Sequence, residues 1–345
     1  MAVKPQVQIA AVDVGSGYVK AVSHLVTESC RISFPSLVCE APARIFSEFV
    51  GEPIKTIHYK GKVWLTGQDV LNYGTSPENT LTDSWAGTDA WMVLLLRALY
   101  ELGIHHGQVN LVTGIPQAVY RERAHEIRQM LSSEHKAVVH DVPVQVEIMG
   151  ARHMVLPQAA AGLYYWVAHK PELKEAMAHG GLIAGVDVGT FTTGYAVLEG
   201  SAPVPALSGG AEIGMSLVAE KLSQKLYHAF GLYPDNHKAM QYLERRQKVF
   251  INGKLEDVSQ LVSESVREVV EPFLGDLRSM WRGRSGSMAI GVYGGGGDDF
   301  YPAIQREFPH AEKVTIPESG GSRFLPALGM MVFFANANGC IKEVS

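Results

Sequence analysis

Hydrophobic and polar residues alternate along this chain with two periods, and each period predicts a different kind of element. Short apolar runs bounded by turn residues indicate buried strands, whereas apolar residues three or four positions apart indicate helices. Strands are predicted at 18–26, 31–38, 56–59, 62–66, 109–112, 195–198 and 289–293, and strand pairs at 138–149 and 248–258. Helices are predicted at 89–102, 120–132, 157–169, 213–230, 263–281 and 324–336. The alternation of strands with helices predicts an α/β fold.

The most informative feature of the pattern is an internal repeat, in which two distant segments share one layout. One apolar run ends in Asp13-Val-Gly-Ser-Gly, and another ends in Asp187-Val-Gly-Thr-Phe-Thr-Thr. A second β-rich strand follows each of these turns, at 18–26 and at 195–198. Each repeat therefore predicts a hairpin whose tip carries an aspartate, glycines and hydroxyls. Two related domains follow from this duplication.

The residues at the first tip suit the binding of a phosphate chain. The backbone N–H groups of Gly15, Ser16 and Gly17 can cradle phosphate oxygens, because glycine lets the backbone approach a ligand closely. Lys20 adds a nearby cation, and Asp13 is expected to hold Mg²⁺ through water, since Mg²⁺ prefers oxygen ligands and keeps several waters. Taken alone, the motif could equally be an ordinary β-turn.

The second tip predicts the same chemistry, with Gly189, Thr190 and Thr192 as phosphate ligands and Asp187 as the second carboxylate on Mg²⁺. A buried strand then leads into the glycine run 294–297, of which Gly294, Gly295 and Gly296 are expected to pass close to a flat or bulky ligand such as adenosine. The sequence has neither a G-x-x-x-x-G-K-[ST] loop nor a G-x-G-x-x-G dinucleotide fingerprint.

Composition narrows the class of protein. The chain has 345 residues, 46% of them hydrophobic, which suits two domains with sizeable cores. Its formal net charge of −5 provides no global basic field for nucleic acid, so we expect no direct nucleic-acid binding. The three cysteines form no C-x-x-C pair, which argues against a disulfide framework or a zinc ribbon. The longest apolar stretch, 90–96, is too short to span a membrane, and the N-terminus lacks a signal-peptide layout, so we expect a cytoplasmic protein.

Five segments in this order resemble the motifs of the actin/Hsp70/hexokinase ATPase superfamily. The first hairpin resembles the phosphate-1 motif. The other matches are 187–193 with the phosphate-2 motif, 292–297 with the adenosine motif, 157–162 with the first connecting helix and 318–329 with the second. The resemblance implies an actin-like ATPase fold, in which two related, ribonuclease H-like domains flank a nucleotide cleft. We expect domain I at 1–178, with the helix 324–345 packing back on it, and domain II at 179–323.

Within the superfamily, the chain resembles most the bacterial actin-like proteins of the plasmid-segregation ParM/StbA/Alp group. The segments 32–36, 63–67 and 111–116 carry this closer resemblance. It implies that Gln158 orients the attacking water opposite the γ-phosphate, although this residue could instead be a solvent-facing position at the start of a helix. Glu212 and Lys221 could contact the adenine or ribose, or could belong to a solvated helix face.

The resemblance implies an ATPase that binds ATP or ADP with Mg²⁺ and polymerises head to tail into filaments. Plasmid or DNA segregation, or intracellular positioning, would be its role, with a DNA-bound adaptor as a possible further partner and no membrane partner. A small-molecule kinase and a non-polymerising scaffold ATPase of the same superfold are the alternatives. A pelleting assay with and without ATP distinguishes them.

Overall fold

The structure of the chain, a computed structural model, describes residues 8–25, 28–42, 54–74, 76–149, 155–245, 248–317 and 321–338. The chain forms two compact units: Met1–His169 with Arg323–Ser345 make up unit 1, and Lys170–Ser322 make up unit 2. Some predicted features lie outside the described residues. These are Val26 in the predicted strand 18–26, residues 318–320 of the second connecting segment, and residues 339–345 of the predicted C-terminal helix.

Unit 1 contains a mixed sheet that carries the first hairpin near one of its edges. Its strands are β1 (Gln8–Val14), β2 (Tyr18–Leu25), β3 (Glu28–Pro35), β4 (Val38–Glu40), β5 (Thr56–Tyr59), β6 (Lys62–Thr66), β7 (His106–Ile115), β8 (Glu134–Val139), β9 (Val142–Met149) and β10 (Val155–Pro157). They follow the order β3-β2-β1-β7-β9-β8-β5-β6-β4, and β10 pairs with β7. The antiparallel β1–β2 hairpin is therefore at one side of β7, whose other neighbours are β9 and β10.

The helices of unit 1 are α1 (Gln68–Tyr73), α2 (Asp89–Glu101), α3 (Tyr120–Leu131), α4 (Gln158–Ala168) and α10 (Leu325–Asn338). The start of α2 is capped, because the Thr88 hydroxyl accepts a hydrogen bond of 3.1 Å from the Trp91 amide. Asp89 in the first turn adds a favourable interaction with the helix dipole. Trp91 itself is fully buried in the core of the unit.

The helices α4 and α10 cross at very short range. A Cβ atom at Gly329 of α10 would overlap the carbonyl of Ala161 in α4, so only glycine allows this approach. The first half of α4 is correspondingly made of small residues, Ala159 to Gly162. Segments far apart in the sequence thus pack together in the core of unit 1, and α4 begins with the predicted catalytic residue Gln158.

Unit 2 contains a smaller mixed sheet. Its strands are β11 (Leu182–Val188), β12 (Thr193–Glu199), β13 (Ala202–Pro203), β14 (Gly209–Ala211), β17 (Met288–Tyr293) and β18 (Glu312–Lys313), in the order β13-β12-β11-β17-β18 with β14 paired to β12. A separate hairpin is formed by β15 (Lys248–Ile251) and β16 (Lys254–Asp257). The helices are α5 (Pro171–Ala178), α6 (Met215–Phe230), α7 (Asn236–Arg245), α8 (Ser259–Met280) and α9 (Gly297–Glu307).

The predicted α/β fold and internal repeat are confirmed. β1 pairs antiparallel with β2 and parallel with β7, and β11 pairs antiparallel with β12 and parallel with β17. In both units, a strand that ends in Asp-Val and is followed by glycine therefore lies between its hairpin partner and a parallel strand. The predicted hairpin around Asn252-Gly253 is also present.

Several predicted elements were wrong or missing. The strand expected at 31–38 is two strands, because Pro35 ends β3 and Ser36 turns back to bond the Gly15 carbonyl at 2.6 Å. The strand expected at 109–112 runs over all of β7. The pattern did not predict α1, α5, α7 or α9, and α9 was missed because it begins directly in the glycine run.

Candidate nucleotide site

The first hairpin buries its aspartate beside a lysine. Asp13 and Lys20 are cross-strand partners in the β1–β2 register, so their side chains lie on the same face of the hairpin. The Lys20 ammonium donates to Asp13 Oδ2 at 3.0 Å, and Asp13 is only 2% exposed. A nearly buried carboxylate requires such a partner, because desolvation of an unpaired charge is costly. The predicted cation is thus held at the hairpin tip.

Gln158 reaches the same carboxylate from a different element. β10 pairs parallel with β7 through Pro157, and α4 begins at the next residue. From this position, the Gln158 Nε2 group donates to Asp13 Oδ1 at 2.7 Å. The side-chain carbonyl oxygen of Gln158 remains as an acceptor, which a water molecule could use. The structure therefore brings together Asp13, Lys20 and Gln158, which are far apart in the sequence.

The loop after Asp13 is held through its carbonyl groups. The Gly15 carbonyl accepts from the Ser36 hydroxyl at 2.6 Å, and the Ser16 carbonyl accepts from the Thr80 hydroxyl at 2.7 Å. The Gly17 carbonyl accepts from the Ser36 amide at 2.9 Å. Because C=O and N–H groups point in opposite directions across a trans peptide, these anchors turn the amides of the loop away from Ser36 and Thr80. Such an arrangement is suited to presenting N–H donors to an anion.

Sequence analysis did not assign Ser36 and Thr80 a role at the site. Ser36 was placed in the predicted strand 31–38 and Thr80 in no predicted element, and a hydroxyl group is too common to select either residue. Arg323 was missed in the same way: its guanidinium carbon lies 4.5 Å from the centroid of the Tyr18 ring, at the start of β2. This distance is within the range of a cation–π contact. The first hairpin therefore has a second cation in its neighbourhood.

The second hairpin has the same backbone plan and a different neighbourhood. Asp187 is half-buried, and its cross-strand partner is Gly194 where Asp13 has Lys20. The Gly189 amide donates to the Thr192 carbonyl at 2.9 Å and closes the turn. That amide is consequently engaged within the protein, so phosphate donors in this loop would come from Thr190 onward.

The turn of the second hairpin is fastened to the start of α6. The Met215 amide donates to the Gly189 carbonyl at 3.1 Å, and the Ser216 amide donates to the Thr190 carbonyl at 2.8 Å. These bonds satisfy two of the amides that lack a partner at a helix N-terminus. The Thr193 hydroxyl donates to the Ile213 carbonyl at 2.5 Å, which fixes the strand side of the same turn. Thr190 and Thr192 are therefore on a well-supported loop.

The glycine run lies directly beside Asp187. Gly294 has φ +94°, and a Cβ atom there would overlap the Asp187 carboxylate and the Val188 carbonyl. The Gly296 amide donates to the Val188 carbonyl at 2.9 Å, and the Ser322 hydroxyl donates to the Gly294 carbonyl at 2.9 Å. Gly295 is different, because it is exposed and a Cβ atom there would contact nothing within 4 Å. The run is thus closely packed at two glycines and open at the one between them.

Two residues suggested for the adenine or ribose are less closely tied to these loops. Glu212 is exposed in the short connection between β14 and α6, and Lys221 is half-buried within α6. In the described part of the chain, neither residue makes a hydrogen bond or ion pair with the turn 189–192 or with the glycine run. Their assignment stays a prediction.

Two units that each place an Asp-Val-Gly hairpin beside a parallel strand define the actin-like ATPase fold. Two family models match the chain: the N-terminal domain of actin-like proteins over residues 11–160, and the archaeal actin homologue MreB-like C-terminal domain over residues 185–306. The chain belongs to the actin-like proteins. None of the curated proteins matches the sequence significantly.

Solved structures share this fold at low sequence identity. The archaeal actin homologue Ta0583 is 18% identical to this chain with a TM-score of 0.77, and the match covers 96% of this chain and 99% of Ta0583. The structure of Ta0583 in complex with ADP is 19% identical with a TM-score of 0.73, at the same two coverages. The subunit of a 15-stranded ParM filament from Clostridium botulinum is 18% identical with a TM-score of 0.76, and the match covers 96% of this chain and 99% of that one. Bacillus thuringiensis ParM with AMPPNP is 14% identical with a TM-score of 0.68, and the match covers 97% of this chain and 99% of that one.

A search of the described helices for a membrane span found none with both the necessary length and the necessary apolar character.

Proposed function

We propose that this chain binds ATP with Mg²⁺, hydrolyses it, and polymerises with other copies of itself into filaments. Plasmid or DNA segregation, or intracellular positioning, is the proposed role, with a DNA-bound adaptor as a further partner. The observation that carries the proposal is the convergence of Lys20 and Gln158 on the buried carboxylate of Asp13. A cation for phosphate, a carboxylate for a hydrated metal ion and an amide for water are the groups that ATP hydrolysis requires.

The donor set suits a hydrated Mg²⁺ ion. Each oxygen of Asp13 accepts one hydrogen bond within the protein, from Lys20 or from Gln158. A carboxylate offers about four acceptor sites in all, so metal-bound water could still be accepted. When bound, Mg²⁺ neutralises the developing phosphate charge. Asp187 would serve in the same way from the second hairpin.

The residues of the chain position the reactants. The loop 15–17 would donate backbone N–H groups to the phosphates, because its carbonyls are anchored by Ser36 and Thr80. The carbonyl oxygen of Gln158 would accept a hydrogen bond from the attacking water and so hold that water in place. The exposed Gly295 would leave room for the nucleoside. The ADP and AMPPNP complexes of proteins with this fold support the choice of an adenine nucleotide.

Filament formation is supported by relatives of the same fold that are themselves filaments, including ParM from Clostridium botulinum. A head-to-tail contact that does not close into a ring produces an open filament of this kind. ATP would favour assembly, and hydrolysis to ADP would loosen the contact.

The test measures phosphate release and sedimentation of the purified protein in parallel. Each measurement is made with Mg²⁺ and one of three nucleotides: ATP, a slowly hydrolysed ATP analogue, or ADP. We expect phosphate release, and polymer that pellets with ATP and the analogue but less with ADP. Phosphate transfer to a small molecule without polymer would favour a kinase instead. ATP binding without polymer across salt and protein concentrations would favour a scaffold.

A further inference from the structure

Unit 2 has a groove between two of its helices that is separate from the candidate nucleotide site. It has a volume of about 620 Å³ and is lined by residues of α8 between Ser259 and Val270 and by residues of α9 between Asp298 and Arg306. None of the described residues that line it belongs to the hairpin tip 187–193 or to the glycine run 294–297. We call this feature the α8–α9 groove.

Two ion pairs join α8 to α9 at one end of the groove. Arg306 donates to Glu271 at 2.6 Å, and Arg278 donates to Glu307 at 2.6 Å. The residue after Glu271 is Pro272, which lies inside α8. Proline has no amide hydrogen for the intrahelical bond and therefore favours a bend. Such a bend lets the first half of α8 diverge from α9, and the groove lies along that half.

Apolar side chains form the floor of the groove. Val262, Val270 and Ala303 are buried there. Val266 is half-buried and Pro302 is exposed, so apolar surface remains that a ligand could remove from water. The floor therefore favours a ligand with an apolar face.

Arg267 is an exposed cation on the groove whose neighbouring acidic residues are already paired. Glu264 lies 3.6 Å from the Lys225 ammonium, and Glu271 accepts from Arg306. These two glutamates are one helical turn before and after Arg267, where they would otherwise pair with it. Among the described residues, no carboxylate lies within ion-pair distance of the Arg267 guanidinium. The groove thus offers one positive charge to a ligand.

The charges of the groove are separated along its length. Arg267 and Arg306 are at the end where the ion pairs join the helices. Asp298 and Asp299 are in the first turn of α9, roughly 12 Å away along the helix axis. Asp298 is balanced by the Lys313 ammonium at 2.9 Å, and the helix dipole stabilises a negative charge in this turn. A ligand with an acidic group at one end would match this distribution.

The shape of the groove favours a helix of a partner protein over a small molecule. At the rise of an α-helix, the lining stretch of α8 is roughly 16 Å long, which equals about three helical turns. More than half of the lining residues are exposed, so the groove is open along its length. A small-molecule site usually encloses most of its ligand. An amphipathic helix laid into a groove needs no such enclosure.

We infer that the α8–α9 groove is a docking site for an amphipathic helix of a partner protein. An acidic side chain of that helix pairs with Arg267, and its apolar face covers Val266 and Pro302. Charge complementarity of this kind selects one partner among others with a similar apolar face. The inference does not depend on ATP hydrolysis or on filament formation, because the groove shares no residue with the nucleotide site.

The probe is a phage-displayed library of helical peptides about 14 residues long, which span roughly 21 Å. One face is randomised among apolar residues, and positions at both ends are randomised among Glu, Gln and Lys. The library is selected on the full chain, and the strongest binder is measured as a fluorescent synthetic peptide. We expect apolar residues along one face of the selected peptides and Glu at one end.

Two variants of the groove are compared with matched controls. Arg267→Glu reverses the charge, and Ser263→Trp fills the groove from an exposed position of α8. Their controls are Arg282→Glu and Ser279→Trp, which change exposed residues at the other end of α8. We expect at least about a tenfold loss of peptide affinity in both groove variants and none in the controls, because a like charge or a blocked groove opposes docking. A peptide with Lys in place of the selected Glu should recover binding to Arg267→Glu.

Three results would overturn the inference. A library without binders removes a helix as the occupant. A selected peptide that binds both groove variants like the wild type lies elsewhere on the chain. Loss of sedimentation with ATP in Ser263→Trp but not in Ser279→Trp assigns the groove to a second copy instead. Should circular dichroism show Ser263→Trp to be misfolded, Arg267→Glu and the charge-swapped peptide decide the question.

Discussion

The two hairpins of this protein have one backbone plan and opposite surroundings for their aspartates. Asp13 faces Lys20 across the strands and is 2% exposed, whereas Asp187 faces Gly194 and is half-buried. Gln158 contacts the first aspartate, and the glycine run adjoins the second. The two hairpins thus share a backbone plan but differ in the side chains around it. In unit 1, the charged Lys20 and the polar Gln158 contact the aspartate. In unit 2, the glycine run beside the aspartate has no side chains.

The strongest test of this difference replaces each aspartate by alanine. Asp13→Ala leaves the half-buried Lys20 ammonium without its partner, and we expect it to lower the free energy of unfolding by about 2–3 kcal/mol. Asp187→Ala should lower it less, because Asp187 is more exposed and its cross-strand neighbour is Gly194. Denaturant unfolding of both variants without nucleotide measures the difference. Equal stabilities would contradict the assigned asymmetry.

Nucleotide binding should respond differently from stability. Each aspartate is proposed to interact with hydrated Mg²⁺, so both variants should lose about 1.5–3 kcal/mol of Mg·ATP binding, roughly a ten- to hundred-fold loss of affinity. Calorimetry with and without Mg²⁺ checks this, because the loss should be smaller when no metal ion is present. Wild-type affinity in both aspartate variants would remove them from the metal site.

Replacement of Gln158 separates its proposed role in hydrolysis from ATP binding. Gln158→Ala should reduce the single-turnover rate of ATP hydrolysis by roughly 100-fold, because a misplaced water loses its near-attack geometry. ATP affinity should remain close to wild type, as expected for an interaction made mainly in the transition state. Rapid-quench measurement of hydrolysis tests this, and filaments of the variant should persist longer. An unchanged rate would leave Gln158 with only a structural role beside Asp13.

The smallest expected effect distinguishes two neighbouring glycines of unit 2. Gly295→Ala should leave stability unchanged, since the new Cβ atom would contact nothing in the protein, but it should weaken nucleotide binding a few-fold. Gly294→Ala should destabilise the chain by about 1–3 kcal/mol, because φ is +94° and the Cβ atom overlaps Asp187. Measurement of the melting temperature and the ATP affinity of both variants distinguishes a role in packing from a role in nucleotide binding. Full affinity in Gly295→Ala would show that the nucleotide does not approach this residue.

Much of the fold could be predicted because strands and amphipathic helices leave a periodic signal. The duplicated Asp-Val-Gly motif identified β1 and β11 as equivalent strands, and the Asn-Gly pair located the β15–β16 turn. Helix α9 was not predictable in this way. It begins in glycines and aspartates, which have low helix propensity, and contains Pro302. Packing against unit 2 outweighs that local preference.

The site was predictable only where one residue type carries the chemistry. Asp13, Lys20 and the glycines stand close together in the sequence, so the motif reveals them. Ser36 and Thr80 act through single hydrogen bonds to loop carbonyls, and nothing local marks a hydroxyl for such a partner. The contact of Gln158 with Asp13 depends on the pairing of β10 with β7, which joins distant segments. Tertiary pairing of this kind leaves no local trace.

The close crossing of α4 and α10 also has a consequence for biosynthesis. The ribosome must produce all of unit 2 before Gly329 becomes available to pack against Ala161, so unit 1 cannot complete its core while it emerges. Contacts between such distant segments form slowly, because closing a long loop costs entropy before the contact is gained. The helix that begins with Gln158 would therefore settle late. A newly made chain would hold Gln158 in its place beside Asp13 only after α10 has docked on α4.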